Sequence, residues 1–269
     1  MDIHPTAIVH PRAQVAPGVK IGPYCVVGEN VQIGKDTLLD SHVVAEGWTT
    51  IGERCHLFPF VSVGTAPQAV RYRGEPTRLT IGSDNLIREF VTIHRGTKDR
   101  WKTSVGKNCL IMAYSHLAHD CLIGDNCIMS NNTQIAGHVT IGDYAILAGM
   151  CAVHQFVKIG KYAFVAGGSL VSKDVPPYIK AGRQPLSYAG VNSIGLKRKG
   201  FSVEKINHIL DIYRYIYNKG MNTTQAVQYI EEEFAATDER DEIVTFIRES
   251  GRGIIKRFSK NNTDEDLTD

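Results

Sequence analysis

Aliphatic residues recur at every sixth position over roughly the first two thirds of the chain. Between Ile3 and Val171, 25 of the 29 positions in this phase are Ile, Leu, Val or Met; the exceptions are Ala45, Ala69, Glu75 and Asp99. A period of six fits neither an α-helix nor an alternating strand. It is typical of a solenoid, because stacked hexads bury a column of side chains that one hexad cannot bury alone.

Each hexad reads as a short strand followed by a turn. A glycine often follows the aliphatic residue, as in Ile33-Gly34 and Ile141-Gly142. We expect these glycines to supply turn conformations that other residues resist. The pattern therefore predicts an all-β repeat domain over residues 1–180.

Two stretches keep the count of six but lose the aliphatic pattern. They run from Thr65 to Thr80 and from Thr97 to Ser104, and are rich in Gly, Pro and charged residues. We expect both to leave the coil as excursion loops, near 65–80 and 97–104. Binding residues concentrate on loops held by a rigid scaffold.

The pattern changes after Val171. Pro176 and Pro177 are expected to end the array, because proline cannot donate to a strand ladder. Residues 190–258 are predicted to form a smaller α-helical domain. Its expected helices begin after an N-cap at Ser202 and end near Gly220, run from Thr223 or Thr224 to Phe234, and run from Asp241 to Arg248. Residues 259–269 are polar and acidic and are expected to be a disordered tail.

Composition narrows the possible functions. The net charge of +2 gives no reason to expect nucleic acid binding. No apolar run reaches the length of a membrane span, and the N-terminus lacks the features of a secretory signal, so a cytoplasmic protein is expected.

All six cysteines lie four residues after an aliphatic position, in a phase shared with Ala, Ser and Thr. We interpret this phase as a slot for small side chains, in which free cysteine packs as a small hydrophobic residue. Disulfides or a cysteine metal site are the alternatives, but no Cys-x-x-Cys pair supports them.

Histidines outside that slot are the candidates for chemistry. If one coil is three hexads, His119 and His138 lie at neighbouring heights on one edge, with His154 near the same edge and His116 beside it. A histidine followed by aspartate, as in His119-Asp120, is a plausible general base. The alternatives are solvated turn residues or a zinc site, but His116-x-x-His119 does not match the histidine spacing of zinc-binding β-helix enzymes. We predict no metal.

Seven segments contain sequence motifs that are more specific for one family than the hexad repeat is. They are Arg73–Arg78, Thr92–Thr97, His116–Cys121, Ala136–Val139, Ala152–Phe156, Asp174–Tyr178 and Gly195–Phe201. Together, and in this order, they resemble the acyl-ACP:UDP-N-acetylglucosamine O-acyltransferases that open lipid A biosynthesis. The resemblance covers essentially the whole chain, whereas the hexads alone indicate only the wider hexapeptide transferases.

The resemblance implies a left-handed parallel β-helix with a C-terminal α-helical domain. It implies a homotrimer with active sites in the grooves between subunits. The implied reaction moves a 3-hydroxyacyl chain from acyl carrier protein, an acidic partner, to the 3-position of UDP-N-acetylglucosamine. No cofactor and no covalent enzyme intermediate are implied. The basic run Lys197-Arg198-Lys199 would meet the carrier protein.

Residue roles follow from the same resemblance. His119 matches the general base, Asp120 its orienting carboxylate, and the Gly137 N–H the oxyanion donor. Substrate contacts are implied at Gln68, Arg71, His116, His138, His154, Gln155, Gly167, Asn192 and Arg198. Gly167 matches a position that limits acyl chain length, where glycine leaves room for a long chain.

Two departures leave alternatives open. Arg71 stands where the family usually has lysine, and Ala69 where it commonly has aspartate. Because Ala69 lacks the carboxylate, the acceptor could be a UDP-sugar with a 3-amino group, but the loss of one carboxylate does not establish this, and the ester stays the main prediction. A hexapeptide N-acyltransferase of the same pathway and a non-catalytic binding scaffold are further alternatives. The chain begins directly in the hexads, which counts against the N-acyltransferase. The histidine cluster counts against the non-catalytic scaffold.

Overall fold

The structure is a computed structural model that describes residues 2–258. Most strands pair in parallel with the strand 18 residues further along, so one coil contains three hexads. The result is a left-handed parallel β-helix with three sheets as its faces. The predicted fold class is confirmed. The tail expected at 259–269 lies outside the described residues.

Within residues 2–258, three sheets run along the solenoid. Sheet 1 consists of β1 Asp2–Ile3, β4 Lys20–Ile21, β7 Leu38–Leu39, β10 His56–Leu57, β13 Leu86–Ile87, β16 Leu110–Ile111, β19 Ile128–Met129, β22 Ile146–Leu147, β25 Phe164–Val165, β27 Ile179–Gly182 and β28 Ser187–Val191. Sheet 2 consists of β2 Ile8–Val9, β5 Val26–Val27, β8 Val44–Ala45, β11 Ser62–Thr65, β14 Thr92–His94, β17 His116–Leu117, β20 Gln134–Ile135, β23 Ala152–Val153 and β26 Leu170–Val171. Sheet 3 consists of β3 Gln14–Val15, β6 Gln32–Ile33, β9 Trp48–Ile51, β12 Arg78–Ile81, β15 Lys102–Val105, β18 Leu122–Ile123, β21 Thr140–Ile141 and β24 Lys158–Ile159.

The aliphatic residue of each hexad is the last residue of its strand and points inward. Residues such as Leu57, Ile111 and Leu147 are completely buried. Burying one such side chain contributes about 1.5–3 kcal/mol to the free energy of folding. The stacked column therefore supplies most of the favourable hydrophobic free energy of folding. Ala45, an exception to the aliphatic pattern, is buried in the same column.

The outward-facing residues differ among the three faces. Sheet 3 presents mainly polar side chains, such as Thr80 and Thr140. Sheet 1 presents a stripe that is apolar except for one histidine, and we call this the outer apolar stripe. It comprises Leu38, His56, Leu86, Leu110, Ile128, Ile146 and Phe164, which follow one another in strand register.

The glycines after the aliphatic residues do not act as expected. The left-handed conformation falls instead on the second residue of each turn, which is usually not glycine; Asp120 has φ 61° and His138 φ 64°. The regular spacing of these glycines has another cause, which is the close approach between coils. A Cβ at Gly34 would lie 2.5 Å from the Gly52 carbonyl carbon.

Both excursions leave the coil between sheet 2 and sheet 3. The first spans residues 66–77 and the second residues 95–101, so β12 and β15 begin earlier than the sequence suggested. They lengthen the register step from 18 to 30 residues between β9 and β12, and to 24 between β12 and β15. The extra 12 and 6 residues are multiples of six, which is why the hexad count survives across them.

The C-terminal segment closes the last coils. Pro176 and Pro177 do not end the pairing, because β27 follows directly and pairs with β25 before β28 turns back antiparallel to it. The helices are α1 Ser193–Arg198, α2 Val203–Asn218, α3 Thr223–Glu233 and α4 Asp238–Arg248. Ser202 caps α2 as predicted, and the buried Tyr213 hydroxyl of α2 donates to the Pro177 carbonyl at 2.6 Å. The division into domains at 1–180 and 190–258 stays a prediction.

All six cysteines are free and buried, as the small-residue slot predicted. Their thiols donate to carbonyls of the next coil; the Cys121 thiol lies 3.2 Å from the Ala136 oxygen. Burial raises the pKa of Cys121 to about 12. These cysteines are therefore packing residues. In the described part of the chain, no helix is both long and apolar enough to cross a bilayer.

Candidate functional site

The candidate site lies along one edge of the solenoid, where sheet 2 turns into sheet 3. We call this edge the histidine corner; it consists of residues 66–77, 95–101, 118–121, 136–139 and 154–157. Both excursions and the predicted catalytic residues therefore belong to successive coils of the same edge. The expectation that His119, His138 and His154 share an edge is met.

His119 and Asp120 occupy the first and second residues of one turn of this corner. His119 Nδ1 lies 2.8 Å from Asp120 Oδ2. Because a carboxylate only accepts, Nδ1 is the donor in this hydrogen bond, and Nε2 is the ring nitrogen left for a substrate. The His119 side chain is 18% exposed and Asp120 is completely buried, so the imidazole can reach a substrate while its partner cannot.

Asp120 is held by the second excursion. The Thr97 hydroxyl donates to Asp120 Oδ2 at 2.6 Å, and the Thr97 N–H donates to Oδ1 at 3.0 Å. The Arg100 guanidinium donates to the Asp120 carbonyl at 2.8 Å. Burial alone would raise the pKa of Asp120, but the hydrogen bonds from His119 and Thr97 outweigh it and lower the pKa. The carboxylate is thus kept ionised although it is buried.

His138 and Gly137 form the turn one coil further on. The rings of His138 and His119 meet edge to face, with centroids 5.2 Å apart, and Phe156 stacks on His138 at 4.5 Å. Burial lowers the pKa of His138 despite the nearby Asp120. Gly137 contacts the face of the His119 ring, because a Cβ there would lie 2.7 Å from Cε1. Within residues 2–258 the Gly137 N–H donates no hydrogen bond.

Two further histidines lie beside this pair on sheet 2. His116 Nδ1 is 2.7 Å from the Thr92 hydroxyl, and its ring meets the ring of His94 at 4.8 Å. Burial is the main cause that lowers the pKa of His116, and it lowers the pKa of His94 to about 4. Near neutral pH both imidazoles are therefore uncharged.

The first excursion carries Gln68 and Arg71, both exposed. The Gln68 N–H donates to His94 Nδ1 at 3.4 Å, which ties the start of this loop to sheet 2. His154 and Gln155 are exposed in the turn above His138, and His154 Nδ1 contacts the Gln155 carbonyl at 3.1 Å.

Three of the predicted substrate residues lie on other edges. Gly167 is exposed in the turn between sheet 1 and sheet 2. Asn192 caps α1 and donates to the Tyr162 carbonyl at 3.0 Å, on the edge between sheet 3 and sheet 1. Arg198 is exposed at the end of α1. A single chain does not bring these three residues to the histidine corner.

One group in the described chain has the residue types of a metal site, namely His119, Asp120 and His138, with ligand atoms within 4.8 Å of one another. Asp120 Oδ2 lies 2.8 Å from His119 Nδ1 and 3.8 Å from His138 Nε2. Asp120 Oδ2 also already accepts from His119 and Thr97. The arrangement therefore fits an acid–base pair better than a metal centre.

Sequence reasoning missed Thr97 and Arg100. They are distant from Asp120 in sequence and become its neighbours only because the second excursion folds back over the corner. One feature of the sequence pointed to them. Both belong to a loop rich in charged residues, and that loop lies on the edge that carries the histidines.

Comparisons with known proteins agree with the motifs. Residues 174–255 match the second domain of UDP N-acetylglucosamine O-acyltransferases, and residues 2–35 and 102–137 match bacterial transferase hexapeptide repeats. The chain is 52% identical over 256 residues to the acyl-[acyl-carrier-protein]–UDP-N-acetylglucosamine O-acyltransferase of Fusobacterium nucleatum, covering 95% of this chain and 100% of the relative. The chain belongs to this acyltransferase family.

Other members agree. The enzyme of the same description from Syntrophobacter fumaroxidans is 46% identical over 258 residues, covering 95% of this chain and all of the relative. The crystal structure of a UDP-N-acetylglucosamine acyltransferase from Bacteroides fragilis superposes with a TM-score of 0.92 at 44% identity, covering 94% of this chain and 99% of that one. The family predicted from the sequence motifs is confirmed.

Proposed function

We propose that the chain transfers a 3-hydroxyacyl group from acyl carrier protein to the 3-hydroxyl of UDP-N-acetylglucosamine. The observation that carries the proposal is the His119–Asp120 pair, joined at 2.8 Å, partly open on the imidazole side and closed on the carboxylate side. A general base needs this arrangement. The second support is that the chain belongs to the acyltransferase family.

The proton moves through His119. Nε2 accepts the proton of the sugar hydroxyl as that oxygen attacks the thioester carbonyl carbon. The C–S bond then breaks, and the carrier thiolate takes the proton back from the imidazolium. Asp120 stabilises the imidazolium and stays ionised, because its pKa is already lowered in the free protein. A positioned base contributes roughly 10²–10⁴-fold.

Gly137 supports the second half of the step. Its N–H is without an acceptor among the described residues and lies against the His119 ring, near where the thioester oxygen would develop charge. A single backbone donor of this kind contributes roughly 10²–10³-fold. Burial lowers the pKa of the half-buried His116 and of the buried His138, so both are mainly uncharged near neutral pH, which suits hydrogen bonding to sugar hydroxyls and amides.

The proposal includes a homotrimer. Gly167, Asn192 and Arg198 lie on edges other than the histidine corner, so a second copy is needed to complete a site that uses all of them. The outer apolar stripe on sheet 1, whose side chains are half-buried except for the exposed Leu86, gives each copy a contiguous apolar face that favours contact with another. A heterologous contact, in which two different surfaces of the chain meet, forms a ring when its repeated rotation closes.

The proposed donor partner is the acidic carrier protein. Lys197, Arg198 and Lys199 are exposed at the end of α1 and form a basic surface. Such surfaces mainly steer association and respond to salt. A cytoplasmic location stays a prediction from the sequence.

Ala69 keeps a second acceptor in consideration. The family commonly has a carboxylate at this position, and here a methyl group stands on the loop that carries Gln68 and Arg71. Direct competition between UDP-N-acetylglucosamine and its 3-amino analogue would decide between ester and amide formation. Preference for the amine by the unaltered enzyme would replace the hydroxyl in the proposal.

The test of the reaction uses the purified protein, acyl-ACP and UDP-N-acetylglucosamine. His119→Ala should reduce kcat by roughly 10²–10⁴-fold, while His4→Ala, at an exposed histidine remote from the corner, should not. Product would be measured by mass spectrometry. More than about a tenth of the unaltered rate in His119→Ala would remove His119 as the base.

A further inference from the structure

The first excursion is fastened to the solenoid by the side chain of Arg95. The Arg95 Nη2 and Nε groups donate to the Tyr72 hydroxyl at 2.6 and 3.1 Å, and Nη1 donates to the Gly64 carbonyl at 2.7 Å. The Tyr72 hydroxyl in turn donates to the Glu75 carbonyl at 2.8 Å. One guanidinium thus joins residues of β11 and of the loop.

The slot for this guanidinium is formed by glycines and an aromatic ring. A Cβ at Gly47 would lie 2.7 Å from Arg95 Nη1, so a side chain there would displace the arginine. The guanidinium carbon lies 5.9 Å from the Trp48 ring centroid and 5.4 Å from that of Tyr72, within the range of cation–π attraction. Arg95 is therefore held from several sides.

The tip of the loop, by contrast, is open. Gln68 and Arg71 are exposed and Val70 is 94% exposed. The loop is thus fixed at Tyr72, near its middle, and the exposed residues Gln68 and Arg71 precede this fixed point. Arg95 also begins the second excursion, whose Thr97 holds Asp120.

We propose that Arg95, acting through Tyr72, is a positioning residue that presents Gln68 and Arg71 to the nucleotide sugar. This rests on the proposed function, because it takes those two residues as acceptor contacts. The second excursion then has two separate duties. Its first residue sets acceptor affinity through the first loop, and Thr97 sets the orientation of the general base through Asp120.

The experiment compares Tyr72→Phe with Thr97→Val in the full-length enzyme. Tyr72→Phe removes only the hydroxyl and should raise the KM for the UDP-sugar about tenfold, with kcat changed less than about threefold. Thr97→Val should do the reverse, lowering kcat and leaving KM near its original value. Arg54→Lys is the control, since Arg54 makes a similar bidentate contact to Asp84 on a different edge.

Cleavage by trypsin gives a readout independent of turnover. Arg71 and Arg73 lie in the first excursion, so its release from Arg95 should speed cleavage there in Tyr72→Phe and in Arg95→Met, but not in Arg54→Lys. The effects of Tyr72→Phe and Arg95→Met should add to less than their sum in the double variant, because the two substitutions share the Arg95–Tyr72 interaction; only the hydrogen bond from Tyr72 to the Glu75 carbonyl is lost in addition to those of Arg95. If Arg95→Met does not fold, Tyr72→Phe alone decides.

The outcomes separate the two proposals. Unchanged cleavage in Tyr72→Phe would overturn the fastening itself. Faster cleavage with an unchanged KM would show a loop that is fastened without serving the acceptor, and would overturn the positioning role. An unaltered enzyme that does not use UDP-N-acetylglucosamine would contradict the proposed function, while the cleavage comparison would still decide whether Arg95 holds the loop.

Discussion

The charges of individual side chains at the histidine corner are set by burial and by local donors. Asp120 is buried and ionised because His119 and Thr97 donate to it, whereas His94 is buried beside other histidines and loses its proton. A buried carboxylate without those donors would instead be neutral. Asp120 therefore keeps its charge in the buried part of the corner, while burial lowers the pKa of His94, His116 and His138.

The shift at His94 makes stability depend on pH. Its pKa falls from 6.5 to about 4 in the folded chain, so between these values the unfolded chain binds a proton that the folded chain does not. The free energy of unfolding should therefore fall as the pH drops from 6.5 towards 4, by up to roughly 3 kcal/mol. His116, whose pKa is also lowered, should add to the same trend.

Urea unfolding at a series of pH values and constant protein concentration would measure this dependence. His94→Gln should reduce the slope between pH 6.5 and 4, and His4→Gln, at an exposed position, should not. An equal slope in His94→Gln and the unaltered protein would contradict the assignment. Protonation of Asp120 would also lower the free energy of unfolding. It does so only at pH values below the ordinary pKa of aspartate, which lie outside the range from 6.5 to 4.

The sequence predicted the residues that are adjacent in the chain or one coil apart. His119 and Asp120 are neighbours in sequence, and a coil of three hexads places His138 beside them. Thr97 and Arg100 could not be predicted this way, because an excursion has no fixed register with the coil below it. The roles given to the site residues by resemblance stay predictions.

At the scale of elements, glycine allows the coils to approach one another. Gly34→Ala would place a methyl group 2.5 Å from the backbone of the next coil. We expect this overpacking to destabilise the protein by about 1–3 kcal/mol. Gly251→Ala is the matched control, because a Cβ at residue 251 has no neighbour within 4 Å. Thermal unfolding of both variants would measure the difference, and equal midpoints would refute the close-approach explanation.

The turn that contains Gly167 should limit the length of the acyl chain. Gly167 is exposed and its φ is not in the left-handed region, so a side chain can be placed there, although its Cβ would lie 3.1 Å from the Gly149 carbonyl oxygen and would require a small shift of the neighbouring coil. Gly167→Met should shift selection towards shorter donors. Competition among 3-hydroxyacyl donors of ten, twelve and fourteen carbons would measure it. An unaltered enzyme that prefers the shortest donor would contradict the role, although Leu170, 53% exposed nearby, also borders this surface.

The elements were predicted well where the pattern is regular. The hexads gave the strands, and the caps at Ser202 and near Thr223 gave the starts of α2 and α3. α4 begins at Asp238 rather than Asp241, because Thr237 caps it. The continuation of sheet 1 through β27 was missed because the adjacent prolines concealed it. Proline blocks donation only at its own residue, and β27 begins two residues after Pro177.

For the whole molecule, the difference between its faces predicts how copies associate. Ile128→Glu places a charge in the outer apolar stripe on sheet 1, and should shift the proposed trimer towards monomer because that charge would be buried against a neighbour. Thr140→Glu, on the polar face of sheet 3, should leave the assembly intact. Light scattering coupled to size-exclusion chromatography would measure the mass, and equal masses for the two variants would exclude the stripe as a contact.

The closure of the last coils has a consequence for how the chain is made. The Tyr213 hydroxyl contacts Pro177, and Asp174 pairs with Ile254. Both contacts join the end of the solenoid to segments that come later in the chain than every coil. During translation, the strands of the final coils therefore leave the ribosome before the helices that cover them. Until the residues up to 255 have left the ribosome, a nascent chain exposes an uncovered sheet edge that can pair with another chain on the same polysome.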